Sequence, residues 1–221
     1  MPSPTVQLGF AVLVAAAVLG EYYDRRALGV VVVVLLLPEL DTLTGWVLAG
    51  AHRALLHNLL LVAAASGLLY YDTRVRDQSW LRERYGDWGV RVAVAALFAH
   101  VFAHVLLDYA HLEGVNLFYP VVDAFYHLEG ELYLSTDEGL VQTFVEFVDP
   151  QASGQVVDAG RTGTTENVHV DSPVDPENEG PDGRPERRFP VAVYGWQLYL
   201  IAVGLFTAGA KRLQGDPPGD R

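Results

Sequence analysis

Apolar runs that could enter a lipid bilayer constrain the fold of this chain more than any other feature. Five runs stand out, at residues 6–20, 28–37, 54–71, 92–109 and 189–210. A helix needs about 20 apolar residues to cross a hydrocarbon core of roughly 30 Å, so the first two are either short spans or a re-entrant pair. Because a helix satisfies its own backbone hydrogen bonds in lipid, the sequence predicts an all-α membrane protein with about five transmembrane helices.

The composition fits this prediction and excludes several other classes of protein. The chain is 51% hydrophobic yet carries a formal charge of −12, which agrees with apolar spans joined to an acidic aqueous part. Lysine occurs only at Lys211, and this acid-rich, lysine-poor composition resembles that of proteins from high-salt organisms. The negative charge argues against nucleic acid as a partner. Without cysteine, the chain has no disulfide, no thiolate metal site and no cysteine nucleophile.

The chain divides by composition into four parts. Residues 1–127 are predicted to form a membrane helical domain, and residues 189–212 a last transmembrane helix that packs on it. Between them, 128–188 form an acidic extramembrane insertion, in which 130–148 alternate around an Asp-Glu-Gly turn as a β-hairpin does and 153–188 have a loop composition. Residues 213–221 are predicted to be a disordered tail. The first apolar run follows no basic region and is interpreted as a retained membrane segment.

Arginines in the short loops predict the orientation of a multi-pass protein of the cell membrane. Arg25 and Arg26, the arginine-rich loop at 74–91, and Lys211 with Arg212 should all face the cytoplasm. Five spans then place the N-terminus and the acidic insertion outside and the C-terminus in the cytoplasm. The same topology brings two polar clusters, at residues 39–57 and 100–113, to the outer membrane face.

The second cluster is a stripe of ionisable residues along the fourth run. On a helix that turns by about 100° per residue, His100, His104, Asp108 and His111 fall within about 80° of one another. Ionisable groups at bilayer depth cost roughly 2.5–3.5 kcal/mol each, so such a stripe indicates a site. At 1.5 Å per residue the stripe is about 16 Å long, so only an adjacent pair can share a metal, and His104 with Asp108 is the best pair. The same pair could instead hydrogen-bond between helices.

The first cluster contains Glu39, Asp41, His52, Arg53 and His57. Two histidines five residues apart differ by about 140° on a regular helix, so they could not both face one ion from such a helix. The arginine could hydrogen-bond a carboxylate or a phosphate oxygen. Alternatively, the first histidine and the arginine are interfacial residues at the start of a helix. His111 and Glu113 are predicted to be solvated, and His127 and His169 to lie at the surface.

Together the two clusters offer five potential metal ligands: Asp41, His52, His57, His104 and Asp108. A catalytic zinc needs three protein ligands and an open position for water, and nitrogen and oxygen ligands also suit manganese or iron. A free carboxylate such as Glu39 or Glu113 could take the proton of the bound water. A haem between histidine pairs has no supporting motif.

These motifs resemble those of the membrane-bound metal-dependent hydrolases, some bacterial members of which are labelled LexA-binding, inner membrane-associated hydrolases. That family has Pro-Asp-x-Asp, His-Arg-x3-His-Ser, and His-x3-Asp followed by a glycine and Leu-x-x-Pro. In this chain the corresponding stretches are 38–41, 52–58 and 104–120, in the same order and spacing over roughly residues 30–120. The chain has Glu39 for the first Asp, Asn58 for Ser, and no histidine near its N-terminus.

The resemblance implies a metal-dependent hydrolase in contact with the lipid bilayer. Glu39 and Arg53 are expected to be catalytic, and a divalent metal, zinc first, is expected on the five potential ligands. A lipid or phosphoester substrate fits a site at headgroup depth with an arginine beside it. The alternative is a non-enzymatic membrane scaffold or a transport-related protein, in which the His/Asp network is structural and the acidic insertion is a docking surface. The sequence predicts no oligomeric state.

Overall fold

The structure of the protein is a computed structural model, and most of the chain can be described from it. The described residues are 3–46, 52–111, 113–147, 157–168, 170, 183–184, 187 and 189–215. The predicted loop at 153–188 and the predicted tail at 213–221 fall largely outside these ranges. Within them the chain is mostly helical with a few short strands.

Two capped helices begin the chain. Helix α1 spans Pro4–Leu19 and continues as a 3₁₀ turn at Gly20–Tyr22. It begins with Ser3 as its N-cap, followed by a proline, whose missing N–H is not needed at that position. Helix α2 spans Arg25–Leu36 and is capped by Asp24, whose carboxylate accepts from Ala27 N at 2.7 Å. A 3₁₀ segment, Leu37–Trp46, follows it.

Helices in the middle of the chain are interrupted by π-helical turns. Helix α3 spans Leu59–Tyr70 and continues as a π-helical turn at Tyr71–Val75. Helix α4, Trp80–Ala99, is kinked at Gly86, which has φ 65°. A π-helical segment at His100–Val105 then leads into helix α5, Leu106–Tyr109. The last helix, α6, spans Gly195–Leu213.

Among the described residues, six short strands pair antiparallel in the insertion and just before it. Strands β2 (Leu132–Ser135) and β3 (Gly139–Gln142) form the hairpin expected around the Asp-Glu-Gly turn, with Leu134 opposite Leu140. The other two pairs join segments farther apart in the chain. They are β1 (Phe125–Tyr126) with β6 (Arg161–Gly163), and β4 (Glu146–Phe147) with β5 (Val157–Asp158).

Three helical stretches among the described residues are long and apolar enough to cross a membrane: Pro4–Tyr22, Arg25–Thr44 and Trp80–Tyr109. They correspond to the first, second and fourth apolar runs of the sequence. Helices α3 and α6, in the third and fifth runs, are not among them. The structure therefore supports a membrane helical fold, while the number of five spans stays a prediction.

Small residues let the three long stretches pack closely. Their shared core is rich in alanine and valine, which allow helix backbones to approach each other. It consists of Ala11, Ala15, Leu19, Ala27, Val31, Leu35, Val92, Ala95, Ala96, Ala99 and Ala103. At one end of this bundle, Trp88 Nε1 donates to Asp24 at 2.9 Å, and the Lys211 ammonium lies over the Tyr23 ring at 5.6 Å. The arginine-rich segment and the last basic residues thus meet the α1–α2 turn.

Helix α6 packs against α1 through two glycines. A Cβ atom on Gly204 would lie 2.5 Å from the carbonyl oxygen of Gly9, and one on Gly9 would lie 2.8 Å from the carbonyl oxygen of Leu200. Both neighbouring atoms are backbone, so neither can rotate away. The two helices can keep this distance only while both positions are glycine.

We expect Gly204→Ala to lower the free energy of unfolding by about 1–3 kcal/mol, because the added methyl group forces α1 and α6 apart. Gly209→Ala is the matched control on the same helix, since a Cβ there would meet nothing within 4 Å. The control should change stability by no more than about 1 kcal/mol, the usual difference between alanine and glycine in a helix. Thermal unfolding in detergent compares the two. Equal effects would contradict the glycine contact.

Candidate metal centre

A single carboxylate, that of Asp41, holds both histidines of the first cluster. Nδ1 of His52 donates to its Oδ1 at 2.8 Å, and Nδ1 of His57 donates to its Oδ2 at 2.8 Å. All three side chains are buried. Because a carboxylate only accepts, each ring carries a proton on Nδ1 and keeps Nε2 free for another partner. An imidazole oriented by a carboxylate is the usual arrangement behind a metal-binding nitrogen.

The two histidines reach one carboxylate because residues 52–58 are not helical. These residues form turns and bends, and Arg53 adopts φ 61°, a conformation that costs energy for any residue but glycine. The separation of 140° on a helix therefore does not apply here. Helix α3 begins only at Leu59, capped by Asn58, whose Oδ1 accepts from Leu61 N at 3.0 Å. Serine and asparagine are both good N-caps, which explains why Asn58 can stand where the resembling family has serine.

The stripe on the fourth run includes a π-helical segment that begins at His100. The rings of His100 and His104 stack with centroids 5.9 Å apart, and Nε2 of His104 lies 3.8 Å from Oδ2 of Asp108. Single π-helical turns inside α-helices are common at functional sites. Here the wider turn leaves His104 and Asp108 close together, as the spacing of four residues predicts.

Side chains of the two clusters meet at one buried point. Single ligand atoms of Glu39, His57 and His104 lie within 4.8 Å of one another, so this group could hold a metal ion. Oδ2 of Asp108 is 3.5 Å from Nε2 of His57, and the rings of His57 and His104 have centroids 4.6 Å apart. The structure thus adds Glu39 to the possible ligands, a residue that sequence reasoning assigned only a catalytic role.

Several polar atoms at this point are buried without a hydrogen-bond partner among the described residues. They are Oε1 of Glu39, Nε2 of His57, both ring nitrogens of His104, and Oδ2 of Asp108. A buried polar atom without a partner costs about 1–3 kcal/mol. Nitrogen and carboxylate oxygen donors that converge in this way match the chemistry of a divalent metal site.

Arg53 balances the negative charge beside the cluster. Its side chain is fully buried, with Nη2 at 3.9 Å from Oδ1 of Asp108 and Nη1 at 3.3 Å from Oε2 of Glu113. Nη1 also donates to the Gly114 carbonyl at 3.1 Å. Nε and Nη2 form no hydrogen bond within the described part of the chain.

Sequence reasoning missed Gln7, which enters the site from α1. It is fully buried, and its Nε2 donates to Oδ1 of Asp108 at 3.2 Å. The resembling family has a histidine near its N-terminus that this chain lacks, and the structure instead brings a glutamine from the N-terminal helix to the site. The one signal available in the sequence was a glutamine within an otherwise largely apolar run.

The remaining histidines lie outside the metal-binding group. His52 is held by Asp41, and burial lowers the pKa of His52 although its hydrogen bond to the Asp41 carboxylate opposes this. The prediction that His111 is solvated is wrong, since the side chain is 8% exposed and burial lowers its pKa to about 4. His127 is half-buried and its Nε2 lies 2.9 Å from Glu129. His169 lies outside the described residues.

Comparison with known proteins places the chain in a membrane context. A family model described as YdjM inner membrane protein matches residues 1–160. The match takes in the N-terminal helix and the first part of the insertion, beyond the stretch of roughly residues 30–120 that carries the resembling motifs. No curated protein and no solved structure matches.

Proposed function

The chain belongs to the YdjM inner membrane protein family, and from this premise we propose that it is an integral membrane, metal-dependent hydrolase. The observation that carries the proposal is the buried convergence of Glu39, His57 and His104, whose free ligand atoms face one another. A structural His/Asp network would be expected to pair these atoms with one another or with backbone groups.

The proposed ligands are Glu39, His57 and His104, and zinc is the preferred metal. Two histidines with one carboxylate form a common catalytic zinc site that leaves a position open for water, and manganese or iron suit the same donors. Asp41 then orients His57 from behind rather than binding the metal, and it holds His52 in the same way. In this proposal, Asp41 and His52, which the sequence predicts as ligands, lie beside the metal centre without binding the metal.

Bound metal would supply a water molecule with a pKa near neutrality. Residues of the chain would accept the proton of this water molecule and bind the substrate. Because Glu39 becomes a ligand here, the role of proton acceptor passes to Asp108, whose Oδ2 lies beside both histidines and has no hydrogen-bond partner among the described residues. The free Nε and Nη2 of Arg53 would hold an anionic oxygen of the substrate.

A lipid or a lipid-linked phosphoester is the proposed substrate. Asp41 and Asp108 lie near the ends of two candidate spans, and Gln7 lies near the start of a third. The site is therefore proposed to lie at the depth of lipid headgroups rather than at the bilayer centre. An arginine next to the metal ligands suits a phosphate more than a neutral ester.

For topology we retain the five-span arrangement as part of the proposal. Helices α3 and α6 would complete the bundle, with the N-terminus and the insertion outside and the C-terminus in the cytoplasm. The meeting of Trp88 and Lys211 with the α1–α2 turn supports it, since these segments carry the basic residues assigned to the cytoplasm.

Bound metal and phosphoesterase activity of the purified protein test this proposal together. We expect one equivalent or more of metal by elemental analysis, and hydrolysis of a phospholipid or lipid-linked phosphoester that stops on chelation and returns with zinc. His57→Ala should lose both metal and activity, while Asp108→Ala should lose activity with a smaller loss of metal. A folded protein with no metal and no activity would instead support the non-enzymatic scaffold or transport alternative.

A further inference from the structure

A groove between α3 and α4 lies away from the metal centre. It encloses a cavity of about 250 Å³. Its deeper walls are apolar, and its outer end carries polar and basic side chains. The residues that define it are Leu69, Val94 and Leu97 in the walls, and Tyr70, Arg74 and Arg82 at the outer end.

The groove exists because α3 packs loosely. None of the residues of α3, all of which are described, is buried. The apolar side chains of Leu60, Leu61 and Leu68 remain exposed on this helix. On the proposed five-span arrangement α3 lies in the membrane, where such exposed apolar surface contacts acyl chains.

Two guanidinium groups at the outer end are available to an anion. Arg74 forms no ion pair within the described part of the chain, and Nε of Arg82 is 3.7 Å from Asp87 in an exposed pair. An exposed pair at that distance holds the arginine weakly. By contrast, Nη1 of Arg76 lies 3.2 Å from Asp72, and Arg76 does not line the groove.

Helix length separates the basic end of this groove from the metal centre. Helix α3 begins at Leu59, two residues after His57, and with its π-helical turn reaches Val75. At roughly 1.5 Å per residue, Arg74 lies about 22 Å along this helix from its start beside the metal centre. The apolar wall extends along α4 to Leu97, but the basic end of the groove lies away from the site of the proposed hydrolysis.

We propose that the groove between α3 and α4 is a binding site for an anionic phospholipid. Its phosphodiester lies between Arg74 and Arg82, and one acyl chain follows the wall formed by Leu69, Val94 and Leu97. Basic pockets between transmembrane helices are known to bind anionic headgroups. The cavity is smaller than the roughly 300 Å³ at which sites enclose a whole small ligand, which fits a headgroup whose chains stay in the bilayer.

Titration of the full-length, delipidated protein with phosphatidylglycerol, followed by native mass spectrometry, tests the site. Wild type should bind phosphatidylglycerol at least about fivefold more tightly than phosphatidylcholine, because each arginine near the membrane surface contributes about that factor. The double variant Arg74→Gln/Arg82→Gln should lose about 25-fold in phosphatidylglycerol affinity on the same basis. Inorganic phosphate should compete only weakly.

Arg84→Gln/Arg91→Gln is the matched control, since it removes the same charge from exposed arginines of the same segment that do not line the groove. The control should keep wild-type affinity. Equal losses of phosphatidylglycerol affinity in both double variants would show that the effect comes from overall positive charge, and would contradict the proposed site. Equal binding of the two lipids by wild type would also overturn it, and strong competition by phosphate would show a site for a free anion instead. The wild-type comparison needs no variant to fold.

Discussion

Replacing His104 by alanine is expected to lower zinc affinity by more than about 100-fold, because the proposed metal centre would lose one of its ligands. Loss of an outer hydrogen-bond partner of a metal ligand alone costs about 10–100-fold, so loss of a ligand should cost more. The side chain is fully buried and both ring nitrogens lack a hydrogen-bond partner among the described residues. The rate of the proposed hydrolysis should fall together with the amount of bound metal. Isothermal titration with zinc and elemental analysis measure the first effect.

His100→Ala is the matched control for this change, because its ring stacks on that of His104 but is not part of the metal-binding group. It should keep its metal. Asp41→Asn should fall between the two, at about 10–100-fold, since it weakens the orientation of His57 without removing a ligand. If His100→Ala lost as much metal as His104→Ala, or if Asp41→Asn lost more, the proposed division between ligands and support would be wrong.

The second large effect is expected from Arg53→Met, which should lower the free energy of unfolding by roughly 3–5 kcal/mol, the range found when one partner of a buried ion pair is removed. Arg53 is fully buried and Asp108 is 1% exposed, so among the described residues the buried carboxylate would keep only its hydrogen bond from Gln7. Methionine fills a similar volume, and the positive φ is equally unfavourable for both residues. Unfolding by denaturant in detergent measures the loss.

A double-variant cycle identifies the cause of that loss. Arg53→Met/Asp108→Asn should be less destabilised than the sum of the single changes, because the second change removes the uncompensated charge. Arg76→Met removes an exposed partner of Asp72 and should cost no more than about 1 kcal/mol. Strict additivity in the cycle would show that Arg53 acts by packing and not by charge.

Much of the candidate site could be predicted from the sequence because topology does not depend on side-chain detail. On the five-span prediction, alternate spans reverse direction, so polar residues at the ends of the second and fourth runs were expected at the same membrane face. The structure brings Glu39 and Asp41 together with His57, His104 and Asp108 in this way. The spacing of four residues also predicted the contact between His104 and Asp108.

The rest depended on local backbone geometry that residue spacing does not reveal. The predicted divergence of His52 and His57 applies to a regular helix, whereas an irregular turn before Asn58 lets both rings reach Asp41. The contact of Gln7 with Asp108 joins residues 101 positions apart. Periodicity within a segment cannot predict such a contact.

The fold likewise has features that sequence patterns predicted and features that they could not predict. Apolar length predicted the three long stretches, and alternation around a turn predicted the hairpin of β2 and β3. By contrast, the approach of Gly9 to Gly204 could not be predicted, because two glycines far apart in an apolar sequence carry no signal of pairing.

The contact between Gly9 and Gly204 bears on whether residues 1–160, which the family model matches, could keep their structure without helix α6. Helix α6 lies beyond residue 160, where the family match ends, yet it fixes the position of α1 through Gly204 and Gly9. Since α1 also presents Gln7 to Asp108, the last helix helps to position the first residue of the site. A relative that shares only the matched portion would have to brace its opening helix by other means, such as a second copy of itself.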